Sequence, residues 1–381
     1  ASWGILGNQN IGNYPYQSLI TLGKDYPFGG VRFPGAYMLE IANRDIEWEK
    51  TEMTNIGLDF TILNNKLDFV IDYFNKYTSG ILYNISVSKV LGMGSSEVNA
   101  GEVQNKGFEF LMNYNENIGK FRFNITPNVS FIHNEVKKLA NAEFDVNQGL
   151  FVGESLGAIY GYVADGLFVD SQDITDYAIQ PYAVQPGFIR YKDINGPNGV
   201  PDGRVDPEFD RQVIGTNFPN ITYGLNVGAA FSNFDFSLQL QGIDGNENYL
   251  PGDYQQTAFV NGGTAQRWQM ENRWTRENPD RDAKYPIMLV GSNNGLRFVS
   301  TYWMRDAGFL QVKNIQLGYN LPSDLLSSIG IQRSRIYING ENVYRFDNYY
   351  PGWDPEMGSG RGNGQFYPNT ATYSIGLRVN F

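Results

Sequence analysis

The chain has no cysteine among its 381 residues, so disulfide bridges and thiolate metal sites are excluded. Its single histidine, His133, has neither a second histidine nor a nucleophile constellation around it, so no catalytic triad can be assembled. No apolar run approaches the roughly 20 residues of a membrane-spanning helix, which excludes helical membrane proteins but leaves β-barrels. Basic residues are outnumbered, and the net charge of −11 argues against nucleic acid as a partner.

Aromatic residues and glycine, in contrast, are abundant. Aromatic residues make up 15% of the sequence and glycine occupies 43 positions, which favours an all-β chain. The segment from Ser2 to Gly7 already reads as a strand, and no signal peptide is visible before it. We therefore expect that Ala1 lies in the middle of a longer barrel and that the sequence is a fragment.

The last twelve positions, residues 370–381, show the strand pattern most clearly. Apolar residues alternate there with polar or small ones, so one face of the strand is apolar and the other polar. We interpret Tyr373 and the terminal Phe381 as the signal that closes an outer-membrane barrel. The edge strand of a soluble sandwich alternates in the same way, so the rest of the chain must decide between the two.

Three hairpins repeat this alternation, with turns at residues 64–65, 117–120 and 232–233. A further strand is expected at residues 302–319, where a phase slip near Phe309 predicts a β-bulge. A short helical turn at 322–330 and a strand at 335–345 follow. With the strands near both termini, the count is about ten, and an even count suits a barrel.

The connections alternate between short and long. Three of the four short connections have about two to four residues. The five long connections range from roughly 25 residues, after Tyr73, to roughly 85 residues, at 134–217. Within the longest one, only residues 157–169 suggest local structure. Outer-membrane barrels have short periplasmic turns and long extracellular loops. We therefore predict an all-β fold, a transmembrane antiparallel β-barrel with a polar lumen. The complete barrel is expected to be plugged and to have 22 strands, and the whole chain, residues 1–381, is expected to form about ten C-terminal strands of it.

An ordered set of motifs along the whole chain resembles the SusC-like TonB-dependent outer-membrane transporters of Bacteroidota, the SusC/RagA family. The most specific is R-D-A-G-F-L-Q-V-K-N-I-Q-L-G-Y at residues 305–319. One departure from the family pattern is the insertion of residues 196–201 into its D-x-N-G-D-G run. The other matching stretches are residues 2–4 with 7–14, 48–51 with 55–60, 73–82, 105–109, 193–195 with 202–203, 214–224, 354–356 and 373–381.

The resemblance implies a barrel wall whose plug domain and TonB box lie upstream of Ala1. Such proteins import oligosaccharides or oligopeptides across the cell outer membrane, with energy delivered through TonB. A SusD-like lipoprotein caps their extracellular loops, and the pairs associate as dimers. The resemblance thus implies contact with outer-membrane lipid, no cofactor and no enzymatic activity for this chain.

Flat aromatic side chains in the long loops are the candidate substrate contacts, because such rings stack on sugars. The same residues could instead form the outer aromatic girdle, or pack folded loops against a partner. Trp303 lies at a strand end among them. The five candidates are Trp268, Trp274, Trp353, Tyr349 and Tyr350.

Two loop motifs suggest other chemistry. The run from Asp193 to Asp206 resembles an oxygen-ligand calcium loop, but the insertion breaks the required spacing, so an acidic surface loop is the preferred interpretation. Glycines at 358, 360, 362 and 364 do not follow a strand-to-helix unit, so they predict an extracellular loop rather than a phosphate site. The sequence has enough Asp and Glu residues for a glycosidase pair, but no two of them are singled out by their spacing along the chain.

Three functions therefore stay open at the level of sequence. The preferred one is energised import through a plugged barrel. The alternatives are a soluble all-β protein that binds or cleaves glycans, which would need a second layer over its aromatic strand faces, and a simple diffusion porin. Solubility without detergent separates the second from the first, and upstream sequence separates the third.

Overall fold

The computed structural model describes residues 1–8, 16–38, 42–85, 90, 92, 94, 96–140, 142–146, 148–249, 265–289, 294–322, 326, 330–356 and 369–380. Ten strands form one sheet in the order β1-β6-β7-β8-β9-β16-β17-β20-β21-β22. Every pair whose register is defined is antiparallel. The ten are β1 (Ser2–Asn8), β6 (Glu49–Ile62), β7 (Leu67–Ile85), β8 (Ser96–Ile118), β9 (Phe121–Lys138), β16 (Ile221–Phe231), β17 (Phe234–Asp244), β20 (Phe309–Asn320), β21 (Arg333–Asp347) and β22 (Thr372–Asn380).

The remaining elements are short and lie in the connections. No helix among the described residues combines the length and the apolar character needed to cross a membrane. The elements are β2 (Ile20–Leu22), β3 (Tyr26–Phe28), β4 (Val31–Phe33), β5 (Ala36–Met38), β10 (Phe144–Asp145), β11 (Leu150–Phe151), β12 (Ala158–Tyr162), β13 (Ala164–Leu167), β14 (Ile189–Tyr191), β15 (Arg211–Thr216), β18 (Glu247–Tyr249), β19 (Met304–Asp306), α1 (Ser171–Thr175), α2 (Arg267–Asn272) and two 3-10 turns at Asn294–Leu296 and Thr301–Trp303.

The chain divides into two compact units. The first comprises residues 1–59, 70–110 and 131–156, and its small core contains Val103, Val136 and Leu139. The second comprises residues 60–69, 111–130 and 157–381 and holds the larger core, which lies in the loops.

Turn chemistry sets the hairpins, as the sequence predicts. Leu63, Asn64 and Asn65 all have positive φ in the β6–β7 turn, as does Ser232 in the β16–β17 turn. Asparagine tolerates this left-handed region better than most residues, and a tight turn between antiparallel strands requires it. The predicted bulge is confirmed: the pairing of β20 with both neighbours shifts around Lys313, which has no register partner in either strand.

One predicted connection is wrong. The roughly 25-residue loop expected after Tyr73 is mostly strand, because β7 continues to Ile85 and β8 starts at Ser96. The outer ends of these two strands carry polar side chains, among them Asn75, Thr78, Asn99 and Gln104. Apolar and polar residues therefore do not alternate there, and the sequence pattern that indicates a strand is lost although the backbone pairing continues.

Other differences are smaller. The strand expected from Tyr302 begins at Phe309, because residues 301–306 form a 3-10 turn and β19 instead. The local structure expected at 157–169 is confirmed as β12 and β13. Most of the predicted helical turn at 322–330, the glycines at 358–364 and Phe381 lie outside the described residues.

The two faces of the sheet differ in chemistry. On β22, Tyr373, Ile375 and Leu377 point outward and are 65–77% exposed. Side chains of the opposite face pair with one another: Arg335 binds Asp235, and Asn314 donates to Asn339 at 3.1 Å. An exposed apolar face combined with a polar, hydrogen-bonded face is the arrangement of a barrel wall between lipid and a wet lumen.

Candidate functional site

The connections on the long-loop side build a core of their own within the second unit, which we term the loop cluster. It collects apolar residues from segments far apart in sequence, and Trp303, Tyr191 and Tyr285 are completely buried in it. Aromatic residues bury large areas and direct their polar atoms to partners, so they suit irregular segments. The buried members are Tyr162, Leu167, Phe168, Phe188, Ile189, Tyr191, Val205, Trp274, Ala283, Tyr285, Leu296, Trp303, Ala307, Tyr349 and Tyr350.

Hydrogen bonds from tryptophan and tyrosine side chains to backbone carbonyls hold the cluster together. Trp303 Nε1 donates to the Leu296 carbonyl at 3.0 Å, and the Tyr350 hydroxyl donates to the Trp303 carbonyl at 3.1 Å. The Tyr302 hydroxyl donates to the Ala283 carbonyl at 2.8 Å. Burial raises the pKa of Tyr350 and Tyr302, so both stay neutral donors at physiological pH.

All five predicted substrate residues meet in or against the loop cluster. Trp274, Tyr349 and Tyr350 are buried, whereas Trp268 and Trp353 pack on the cluster and keep part of their surface exposed. Trp268 contacts Tyr350, with ring centroids 5.6 Å apart. The substrate role of all five stays a prediction, and within this arrangement only Trp268 and Trp353 offer accessible ring surface.

An ion network stabilises the loops beside the cluster. Arg190 donates to Asp165 at 2.6 Å and to Asp173 at 2.9 Å, and its guanidinium lies 4.2 Å from the ring centre of Tyr177. Arg281 adds a second contact to Asp173 at 3.1 Å. Burial raises the pKa of Asp173, but the Val169 N–H and the two guanidinium groups outweigh it and leave that pKa below its usual value. Burial and the neighbouring Asp165 raise the pKa of Tyr177 to about 12.

The loop that resembles a calcium site uses its carboxylates for backbone contacts. Asp210, which is completely buried, accepts hydrogen bonds from the N–H groups of Ile194 at 2.7 Å, Asn195 at 3.1 Å and Asp206 at 2.8 Å. Asp193 accepts one from Gly203 at 2.6 Å. Among the described residues, no group of three or more acidic or histidine side chains is arranged to hold a metal ion. Sequence reasoning missed Asp210, which lies outside the motif and is found only from its contacts.

The motif at residues 354–356 anchors the β21–β22 connection to the polar face of the sheet. Asp354 pairs with Arg345 at 3.0 Å, and Glu356 pairs with Lys313, the bulge residue, at 3.1 Å. Arg345 also donates to the Trp353 carbonyl at 2.8 Å. The bulge therefore directs Lys313 to a loop carboxylate, which gives the phase slip in the sequence a structural role.

The C-terminal signal is described only in part. Tyr373 lies on the outward face of β22, opposite Gly340 of β21. Phe381 falls outside the described residues, and the closing role of both residues stays a prediction.

Comparison with known proteins shows what the chain is similar to. The family model described as TonB dependent receptor-like, β-barrel matches residues 8–184. Over its whole length the chain is 29% identical to TonB-dependent receptor P3 of Formosa agariphila, of which it covers 39%, and 26% identical to TonB-dependent receptor SusC of Bacteroides thetaiotaomicron, of which it covers 37%. Residues 8–184 therefore match the β-barrel model of TonB-dependent receptors, and the whole chain is similar to proteins named as TonB-dependent receptors.

A solved structure extends this result to the fold. The RagAB peptide transporter superimposes on the whole chain with a TM-score of 0.78 and 23% sequence identity, and 40% of that transporter chain is covered. The chain spans about two fifths of the length of the relatives that it matches.

These similarities confirm several expectations. The chain is part of a SusC-like, multi-pass β-barrel of the outer membrane, which rules out the soluble all-β alternative. The relatives are named as receptors, in agreement with the expectation that this chain has no enzymatic activity.

Proposed function

We propose that this chain forms the C-terminal barrel wall of an energised importer, which takes up oligosaccharides or oligopeptides across the outer membrane. The observation that carries the proposal is a wall with an apolar outer face, a polar inner face and packed loops at one end, in a chain that is similar to TonB-dependent receptors. RagAB, to which the chain is similar in fold, is a peptide transporter, and this supports the peptide option. The plug domain and its contact with TonB lie in the remainder of the protein.

Uptake by the full-length receptor tests this proposal. Cells that carry it as their sole importer are given a labelled oligopeptide mixture and a labelled oligosaccharide mixture, with and without an uncoupler of the proton-motive force. We expect uptake of one class that stops with the uncoupler. Uptake that continues without the proton-motive force would instead indicate the diffusion porin.

We further propose that a SusD-like lipoprotein covers the loops and that the pairs form dimers. In support, the β2–β5 and β3–β4 ladders of the first long loop expose a set of large apolar side chains. An exposed contiguous apolar surface of this kind marks an interaction site. Its members are Leu19, Ile20, Leu22, Tyr26, Phe28, Val31, Phe33 and Met38.

Co-purification tests the partner. The double variant Leu22→Ser/Phe28→Ser should lose the lipoprotein from the tagged full-length receptor, because each substitution removes apolar area from the interface. The control Ile179→Ser/Val200→Ser changes two equally exposed apolar residues in another loop and should retain it. Retention by both double variants would contradict the role of this loop.

The aromatic candidates divide into two groups that a binding assay can separate. If Trp268 and Trp353 contact substrate, Trp268→Ala and Trp353→Ala should each weaken binding about fivefold, as the loss of one stacking contact of about 1 kcal/mol implies. Both variants should change the protease resistance of the loops less than Trp274→Ala does. Trp274→Ala should instead increase protease sensitivity, because its ring is buried. Unchanged affinity in both exposed-ring variants would remove these residues from the substrate site.

A further inference from the structure

One row across the inner face of the sheet alternates residues that have a side chain with glycines. Asp235 of β17 stands opposite Gly318 of β20. Gly318 in turn stands opposite Tyr337 of β21, and Tyr337 stands opposite Gly376 of β22. Asp235 comes two residues after the turn at 232–233, so the row lies at the short-turn end of the wall. We term these four residues the glycine row.

Arg335, which shares the inner face of β21 with Tyr337, crosses the first of these glycines. Arg335 Nε donates to Asp235 Oδ2 at 2.9 Å, two strands away, and Arg335 Nη2 donates to Gln316 Oε1 at 2.7 Å. A Cβ atom on Gly318 would lie 2.6 Å from Arg335 Cζ, closer than real Cβ contacts. Gly318 therefore makes room for a guanidinium that lies along the sheet, and only 19% of the Arg335 side chain is exposed.

Tyr337 crosses the second glycine, in the opposite direction. A Cβ atom on Gly376 would lie 2.5 Å from Tyr337 Cε1, so the tyrosine ring also occupies the place of a neighbouring side chain. The Arg335 guanidinium lies 5.0 Å from the centre of this ring, a distance that suits a cation–π contact. Alanine at either glycine would push the overlying side chain off the sheet and into the lumen.

The glycine row therefore presents a level surface, because the two long polar side chains lie along the sheet. The outward residues of the same strand stand away from the sheet, and Ile336 and Ile338 are 41% and 55% exposed. On the inner face the charged groups of Arg335 and Asp235 are already bonded to each other. Because a hydrogen bond to a charged group contributes about 1.5–3 kcal/mol, a wall that keeps its charges paired offers a neighbouring surface few strong bonds.

The plug domain is the occupant that fits this position. The chain spans about two fifths of the length of its relatives, and the plug that the proposed function requires belongs to the remainder. Short turns mark the periplasmic end of an outer-membrane barrel, so the glycine row lies at the periplasmic end of the lumen. A plug that closes the lumen there must yield before an oligopeptide or an oligosaccharide can pass.

We propose that Gly318 and Gly376 keep this row level so that the plug domain can move along it during import. They are positioning residues, because they act through Arg335 and Tyr337. This inference rests on the proposed function and adds to it the part of the wall against which the plug moves. A level surface with paired charges lowers the cost of moving the plug, whereas a raised Arg335 or Tyr337 would bind the plug and hold it in place.

Uptake by glycine variants of the full-length receptor tests the proposal. Cells that carry the receptor as their sole importer take up the labelled oligopeptide or oligosaccharide mixture, with and without an uncoupler of the proton-motive force. We expect Gly376→Ala to slow uncoupler-sensitive uptake about fivefold, which corresponds to one added contact of about 1 kcal/mol between the raised ring and the plug. Gly318→Ala should act in the same direction through Arg335. The receptor level in the outer membrane and the binding of the labelled mixture to uncoupled cells should not change.

A rescue variant and a control separate a raised side chain from a damaged wall. Gly376→Ala/Tyr337→Ser has no ring to raise and should recover the unaltered rate. Gly4→Ala adds the same methyl group to β1, where no atom lies within 4 Å of the new Cβ position, and should leave uptake unchanged. Unaltered uptake by both Gly376→Ala and Gly318→Ala, or slow uptake that the loss of the ring does not reverse, would overturn the inference while the proposed function stands.

Photocrosslinking identifies the occupant independently of uptake. The crosslinker p-benzoylphenylalanine is placed at Ser237, an exposed inner-face residue two positions beyond Asp235 on β17, and the crosslinked peptides of the full-length receptor are identified by mass spectrometry. We expect crosslinks to the plug in resting cells, and fewer of them while the labelled mixture is imported. Crosslinks to the labelled mixture and none to the plug would overturn the choice of occupant. An unaltered receptor without uncoupler-sensitive uptake would overturn the proposed function and, with it, this inference.

Discussion

Apolar residues take opposite positions in the ten-stranded sheet and in the loop cluster. Ile375 of β22 is 77% exposed, while Trp303 of the loop cluster is completely buried. The two regions use the same residue types, so composition does not explain the difference. It follows from the surroundings: the outward face of the sheet meets lipid, where apolar side chains are stable, whereas the loops meet water and must bury theirs.

The two regions also treat polar groups differently. In the sheet, polar side chains pair across the inner face, as Asp235 does with Arg335. In the loops, carboxylates bind backbone N–H groups instead, as Asp210 does with three of them. Strand pairing satisfies the backbone of the sheet, but irregular segments must find other partners for theirs. The loops therefore depend on individual side chains, and the sheet depends on its repeated pattern.

The largest expected effect is loss of the loop cluster without loss of the sheet. Trp303→Ala should destabilise the loops by about 3–5 kcal/mol, because it removes a fully buried ring and its hydrogen bond to Leu296. Hydrogen exchange and limited proteolysis of the full-length receptor should show opening of the loop segments. Met270→Ala, on the exposed side of α2, is the control. Unchanged protection in Trp303→Ala would mean that the cluster does not hold the loops.

The next prediction uses adjacent residues on opposite faces of β21. Ile338→Arg places a charge in lipid and should cost about 2–4 kcal/mol, whereas Asn339→Arg points into the wet interior and should cost less. Denaturant unfolding in lipid vesicles, followed by heat-modified gel migration, measures both. Equal costs would break the distinction between the two faces.

The next prediction concerns Asp210, the buried carboxylate that binds backbone N–H groups in the loops. Asp210→Ala leaves three partly buried N–H groups without their acceptor and should cost about 1–3 kcal/mol, seen as faster hydrogen exchange at residues 193–206. Asp202→Ala is the matched control, since this exposed side chain accepts one bond, from Arg204. Equal exchange in the two variants would contradict the role of Asp210.

The smallest effect concerns pH. The pKa of Asp173 is lower in the folded state, so its contribution is complete above the unfolded value near 3.8 and is lost as pH falls through the folded value. Exchange protection around α1 should therefore decrease below about pH 4. The Asp173→Asn variant should lose this pH dependence. The same pH profile in both proteins would assign the effect to other carboxylates.

Sequence alone predicted the sheet better than the loops. Alternation and turn residues such as Asn64 and Asn65 gave ten strands, and the phase slip at Phe309–Val312 located the bulge, because these signals are local. The outer parts of β7 and β8 were missed, since polar residues there remove the alternation. The contact of Trp274 with Tyr285, or of Asp210 with Ile194, joins residues without any local pattern, so only the structure shows it.

The central claim is that a wall with one face in lipid and one in water carries loops with the opposite arrangement. This chain has no cysteine, so single cysteines can be placed at each position from Ile336 to Gly340 and spin-labelled in the membrane, in a full-length receptor from which any cysteine elsewhere has been replaced. Accessibility to oxygen should peak at 336, 338 and 340, and accessibility to a water-soluble nickel complex should peak at 337 and 339. Uniform accessibility along β21, or an inverted alternation, would contradict the account.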